Sequence, residues 1–219
     1  PKGLYVDRPQ HVVLKEYQDP PLQERQYRIR PQLATIKHGT EFHLFSGKSP
    51  FQDKKFDTTL RLFVPKGEGE KPGDLRGQFV GNMAAGTVVE VGKGVARFKP
   101  GDRVFCHGSV CETLTRAEHD GELLEPGLDQ ADALCLDPAL YAYAALRDGR
   151  VCLGDNAIVF GLGAIGQMAV QLLRLAGCSR IVAADPVEKR RRLAEGFGAH
   201  LSLDPTSCDA AVKVREFLG

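Results

Sequence analysis

A mostly-β N-terminal part followed by an α/β part, the latter carrying half of a doubly wound parallel sheet, is the fold class that this 219-residue sequence predicts. Three observations predict it. Up to residue 146, short apolar stretches rich in β-branched residues are interrupted by Gly and Pro. From Asp148 onward, apolar strands alternate with stretches of helical periodicity. The order of those later elements, βαβαβα, implies parallel strands joined by helical crossovers. The domains are therefore expected at 1–146 and 147–219.

In the first part, HVVLKEY (11–17), YRIRPQLATI (27–36), GTVVEVG (86–92) and DRVFCHG (102–108) read as strands. Pro100 and Gly101 lie between two apolar runs and signal a turn, with proline setting φ at the second position. Residues 48–80 are charged and rich in Gly and Pro, with a single apolar patch, LRLFV. They are expected to form an extended surface loop with room for one short helix or strand.

In the second part NAIVF (156–160) is a strand, GLGAIG (161–166) a turn, and AIGQMAVQLLRLAG (164–177) a helix. CSRIVAAD (178–185) follows as a strand. PVEKRRRLAEGFG (186–198) is a helix with Pro near its start and Gly at its end. AHLSL (199–203) and SCDAAVKVREFLG (207–219) add a third strand and a further helix. A doubly wound fold needs two such halves, so the reading expects truncation after the first.

Composition narrows the function classes. A formal charge of +1 supplies no bulk field to recruit nucleic acid or anionic membrane, so neither partner is expected. No uncharged apolar run reaches the ~18 residues of a membrane span, and PKGLYVDRPQ lacks the apolar core of a signal peptide. The chain reads as soluble and cytoplasmic. Its six cysteines are too sparse for a secreted disulfide scaffold, so reduced thiols are expected. Cys106 and Cys111 form the one close pair, and without a second pair they argue against a structural metal.

GLGAIG matches GxGxxG in the context that gives the pattern meaning, directly after an apolar strand and at the opening of a helix. Gly161 would permit the tight turn, Gly163 the close approach of a pyrophosphate, and Gly166 the packing of helix on strand. The backbone of Leu162, Ala164 and Ile165 completes the cradle, its N–H groups and the helix dipole facing the phosphates. Asp185 ends the next strand, where an acid receives the adenosine ribose hydroxyls. A carboxylate there disfavours a 2′-phosphate by about 4 kcal/mol per charge pair at moderate screening, so NAD is expected over NADP. Two readings stand for Lys189, Arg190, Arg191 and Arg192: a solvated helix face, which the sequence favours, or cations that reach a 2′-phosphate.

These residues, together with IKHGTEFHLFSG (36–47), GNMAAGTVVEVGKGVARFKPGDRVF (81–105), LDPALYAYAAL (136–146) and VFGLGAIGQMAVQLLRLAGC (159–178), resemble the medium-chain dehydrogenase/reductase, or zinc-type alcohol dehydrogenase-like, superfamily. The resemblance implies a GroES-like β-barrel catalytic domain, then a Rossmann domain, and a homodimer in the full-length form. The chain departs from the family at its catalytic zinc. His38 stands where a Cys belongs, Asn82 where a His belongs, Met83 where a Glu belongs, and Asp137 where the acid of an EP segment belongs. An amide and a thioether are poor substitutes for imidazole and carboxylate, so no metal ligand is assigned and zinc is not expected. The cysteine-rich lobe that carries a structural zinc in many relatives has no counterpart after GDRV.

What the resemblance implies is hydride transfer between nicotinamide and an alcohol or carbonyl substrate, including polyols and sugars. His38 is the candidate for exchanging a proton with substrate, and a polar residue bonded within the fold is its competing role. Thr40 holds a hydroxyl position used for proton relay in the family, or else caps a loop. Asp137 completes the set. Glu41 and His43 have weaker claims, to orient His38 or to bond the backbone. Two alternatives remain at this point: reduction of an activated C=C bond, and a non-catalytic dinucleotide-binding protein.

Overall fold

The computed structural model describes residues 1–48, 53–67, 69 and 78–219, and the side chains of Thr40, Leu44 and Gln78 also lie outside the described part. The chain divides into two compact units, Pro1–Leu134 and Cys135–Gly219. The division precedes residue 146 because the helix over 136–148 packs on the helix that follows the glycine turn.

The first unit runs β1 (Lys2–Arg8), β2 (His11–Glu16), β3 (Gln26–Thr35), α1 (His38–Ser46), β4 (Lys54–Asp57), β5 (Leu62–Pro65), β6 (Gln78–Phe79), β7 (Met83–Val91), β8 (Arg103–His107), β9 (Leu114–Ala117), β10 (Gly121–Leu123) and α2 (Gln130–Leu134). Its main sheet is antiparallel in the order β10-β8-β7-β3-β9, and a smaller sheet has the order β2-β1-β6. Alternation along the strands gives the main sheet two apolar faces. Tyr27, Ile29, Val88, Phe98, Val104 and Cys106 fill one. Met83, Ala85 and Phe105 meet Leu134 of α2 on the other. Burying such side chains stabilises by roughly 1.5–3 kcal/mol each, so the strands over 83–91 and 103–107 are held from both sides.

The turn expected at Pro100–Gly101 is present, its Asp102 N–H donating to the Lys99 C=O at 3.1 Å. Within 48–80, the described residues form a two-stranded hairpin, β4 with β5, crossed by an edge-to-face Phe56–Phe63 pair. The remainder of that expected loop lies outside the described residues. The sequence reading lacked β1, β9, β10 and the helices α1 and α2.

The second unit contains α3 (Leu136–Asp148), β11 (Asn156–Phe160), α4 (Ala164–Leu175), β12 (Arg180–Ala184), α5 (Glu188–Gly196), β13 (Leu201–Leu203) and α6 (Ala210–Leu218). Its three strands are parallel in the order β11-β12-β13. Val170 and Leu173 of α4 and Ala194 of α5 pack with Ile181 and Ala183 on one face of the sheet. Val214 and Phe217 of α6 pack with Val182, Ala184 and Leu203 on the other. Helices on both faces of a parallel sheet are the doubly wound arrangement, here in its first half. Among the described residues, no helix is long and apolar enough to cross a membrane.

Candidate dinucleotide and reaction site

β11 and β12 are in parallel register from Asn156↔Arg180 to Phe160↔Ala184, so the glycine turn and Asp185 leave the sheet side by side at the carboxyl ends of neighbouring strands. Gly161 follows Phe160 at φ +85°, in the left-handed region that a side chain disfavours. A Cβ on Gly166 would stand 2.0 Å from the Gly161 carbonyl oxygen, so α4 touches the turn only because that Cβ is missing. A Cβ on Gly163 would meet nothing within 4 Å, leaving space beside the backbone at the start of α4. The first N–H groups of a helix have no partner within it. The N–H groups at the start of α4 therefore offer donors, a positive dipole end and room together that fit a diphosphate, whereas the Leu162 N–H, expected to face it, is instead committed to Asp185.

Asp185 is 3% exposed, and backbone donors hold it: Oδ2 accepts from the Leu162 N–H and Oδ1 from the Val187 N–H, each at 2.8 Å. Arg190 adds its guanidinium at 3.4 Å from Oδ2. Burial pushes the Asp185 carboxyl up, but the Val187 and Leu162 amides and Arg190 together outweigh it and hold the group below its ordinary value. An ionised carboxylate has about four acceptor positions; Leu162 and Arg190 take those of Oδ2, and Oδ1 keeps one for a sugar hydroxyl beside its bond from Val187.

Of the four consecutive cations, Arg191 donates to the Asp185 C=O at 2.7 Å and pairs with Asp204 at 3.5 Å, and Arg192 pairs with Glu188 on the helix face. Arg190 alone of the three arginines meets the Asp185 carboxylate. Gln167, which the sequence reading did not single out, ties these parts together. Its Nε2 donates to the Leu162 C=O at 3.2 Å and to the Arg190 C=O at 2.8 Å. A Gln one position after GxGxxG was the available signal.

In the first unit, α1 begins at His38, whose exposed ring stacks on Phe42 with centroids 5.5 Å apart. Thr40 lies in the same helix, and its side chain is outside the described part. Glu41 bonds the backbone: it reaches back to the Lys37 N–H at 2.5 Å and across to the Gly81 N–H. The helix HGTEFHLFS has no strong apolar stripe, and this carboxylate is what joins it to the strand entry at 81–83. The Asn82 N–H donates to the Thr35 C=O at 2.8 Å, which brings the end of β3 against the same entry. Met83 is 5% exposed in the cluster with Ala85 and Leu134, so its thioether is a core group. Asp137 is buried in the first turn of α3, in the second unit.

A β-barrel-type sheet followed by a dinucleotide-type parallel half-sheet defines a two-part, cofactor-binding class of protein. Residues 26–142 match the alcohol dehydrogenase GroES-like domain and residues 164–219 the zinc-binding dehydrogenase domain, and the chain belongs to the medium-chain, zinc-type alcohol dehydrogenase-like superfamily. It is similar to D-guloside 3-dehydrogenase of Escherichia coli, 34% identical over 222 residues, which cover all of this chain and 63% of that protein. It is also similar to (R,R)-butanediol dehydrogenase of Bacillus subtilis, 28% identical over 69% of this chain and 51% of that protein. The solved alcohol dehydrogenase TADH of Thermus sp. ATN1 shares the fold at a TM-score of 0.77 and 23% identity, over 99% of this chain and 67% of that one. The chain thus spans less than two thirds of the length of the curated relatives.

Proposed function

We propose that the protein is an oxidoreductase that uses NAD in preference to NADP to interconvert a secondary alcohol of a polyol or sugar and the matching carbonyl, without catalytic zinc. The observation that carries the reading is the buried Asp185 carboxylate bonded to the Leu162 N–H of the glycine turn. It supports a cradle for the diphosphate and a grip on the adenosine ribose built as one unit. The activities for which the two relatives are named, on a guloside and a butanediol, support the substrate class.

Bound nicotinamide would supply the two-electron acceptor or donor. The chain's own work is to orient and to manage one proton. Donors at the start of α4 hold the diphosphate, and Asp185 accepts from the ribose hydroxyls. His38 and Thr40, both on α1, are the candidates for hydrogen bonds to the reacting oxygen, a task that zinc would otherwise perform. The donor chemistry at the family's zinc positions does not fit that metal. Asn82 contributes an amide, and the Met83 thioether is packed in an apolar cluster, where imidazole and carboxylate donors are needed.

The test is turnover by the full-length protein with NAD or NADP against butanediol, hexitols and methyl hexosides, following reduced nicotinamide. The expected result is oxidation of at least one of them with NAD favoured. Cofactor binding with no turnover on the panel, or turnover that requires added zinc, would overturn the reading.

A further inference from the structure

The geometry points to His107 as a further catalytic residue, the group that takes the proton from the reacting hydroxyl; the inference rests on the alcohol-oxidation reading above. Three strands of the main sheet end in one row, because Met83 of β7 pairs with Thr35 of β3 on one side and with His107 of β8 on the other. The Asn82 peptide, just outside that row, is gripped from the end of β3 and from the end of β8. Its N–H donates to the Thr35 C=O at 2.8 Å, and its C=O accepts from the Gly108 N–H at 3.0 Å. The same carbonyl lies 3.2 Å from Nδ1 of His107.

A carbonyl oxygen only accepts, so Nδ1 carries the hydrogen in that contact. The neutral ring then presents Nε2 as an unprotonated acceptor, the tautomer that a general base requires. The side chain is exposed, so Nε2 is available to a ligand. Arg116 of β9 donates to the His107 C=O at 2.8 Å and so serves the backbone. The other proton-handling candidates in this unit lie at the same end: α1 starts three positions after Thr35 with His38, and its Glu41 holds the Gly81 N–H, next to Asn82. His38, Asn82 and His107 are thus brought to one end of the sheet.

In the oxidising direction bound NAD would supply the acceptor for the hydrogen and electron pair of the substrate C–H bond, two electrons in all. The O–H bond would break with its proton going to Nε2 of His107 as the C=O bond forms. The imidazolium would then release that proton to solvent. His38 orients the oxygen in this scheme.

The experiment compares the full-length parent with His107→Gln and His107→Ala on whichever alcohol of the panel the parent oxidises. Gln keeps an N–H for the Asn82 carbonyl but has no basic atom. Both variants are expected to lose about 100-fold or more in kcat, within the ~10²–10⁴ range of general acid–base catalysis, with the dinucleotide Kd unchanged. Added imidazole is expected to restore the Ala variant at least about tenfold, a rescue that a merely structural residue would not permit. A Gln variant within threefold of the parent, or an Ala variant that imidazole leaves inactive, would overturn the assignment while leaving the functional reading intact. A parent that oxidises nothing on the panel would overturn both.

Discussion

The Asp185 carboxylate accepts the Leu162 N–H at 2.8 Å, so the acid at the end of β12 and the turn at the end of β11 form one structural unit. A second backbone bond from Val187 holds the other oxygen at the same distance. Moving the turn therefore moves the acid. A glycine turn and a carboxylate that are separate in sequence thus form one preassembled wall of the proposed site.

The glycines of that wall separate stability from binding. Gly166→Ala is expected to lower stability by roughly 1–3 kcal/mol, because its Cβ would stand 2.0 Å from the Gly161 carbonyl oxygen and force the backbone apart. Gly163→Ala sits at φ −72° with nothing within 4 Å of the new Cβ, so its Tm is expected to match the parent. Its NADH affinity is expected to fall by about tenfold or more, ~1.4 kcal/mol, because the methyl group takes the diphosphate's space. Thermal melts with and without NADH check both statements.

Acid should uncouple the unit. The folded Asp185 is held below its ordinary 3.8, so the folded state keeps the charge after the unfolded chain has taken a proton. Its stabilising contribution is therefore complete above 3.8 and is lost as the pH falls through the lower folded value. Asp7, Glu118 and Asp204 are displaced in the same direction and add to the decline. Asp185→Asn is expected to show a flatter loss than the parent between neutral pH and pH about 3, measured as urea midpoints.

Glu41 is expected to matter for structure. Glu41→Ala removes the acceptor for the Lys37 and Gly81 N–H groups and is expected to cost about 1–3 kcal/mol, since hydrogen bonds to a charged group are worth more than neutral ones. Glu41→Gln keeps one acceptor and should recover part of that loss. Urea unfolding of the three forms measures it.

Zinc content follows from the donors at the family's metal positions. Elemental analysis of the purified full-length protein is expected to find well below one zinc per chain, and chelators are expected to leave turnover unchanged. About one zinc per chain would reverse the reading of Asn82 and Met83.

How much of this was legible in the sequence depended on how local the cause was. β11, the turn, α4 and β12, with Asp185 at its end, were legible as elements because apolar period, glycine spacing and a terminal acid all act within one stretch of chain. The hairpin turn at Pro100–Gly101 was legible for the same reason. Helix α1 was not, because HGTEFHLFS lacks a clear apolar stripe and contains Gly39, and its anchor is a contact between Glu41 and Gly81. The contacts of Gln167 and His107 were not legible because each takes a partner from elsewhere in the chain, α5 in one case and the Asn82 peptide just before β7 in the other. The placement of α3 in the second unit is likewise a matter of packing on α4, which no pattern within 136–148 announces.

Calorimetric titration of the full-length parent and Asp185→Ala with NADH and NADPH tests the central claim most directly. The parent is expected to bind NADH more tightly. The variant is expected to lose at least about tenfold, ~1.4 kcal/mol, in NADH affinity and to move toward NADPH as the carboxylate that repels a 2′-phosphate is removed. Equal preference in the two proteins would contradict the account.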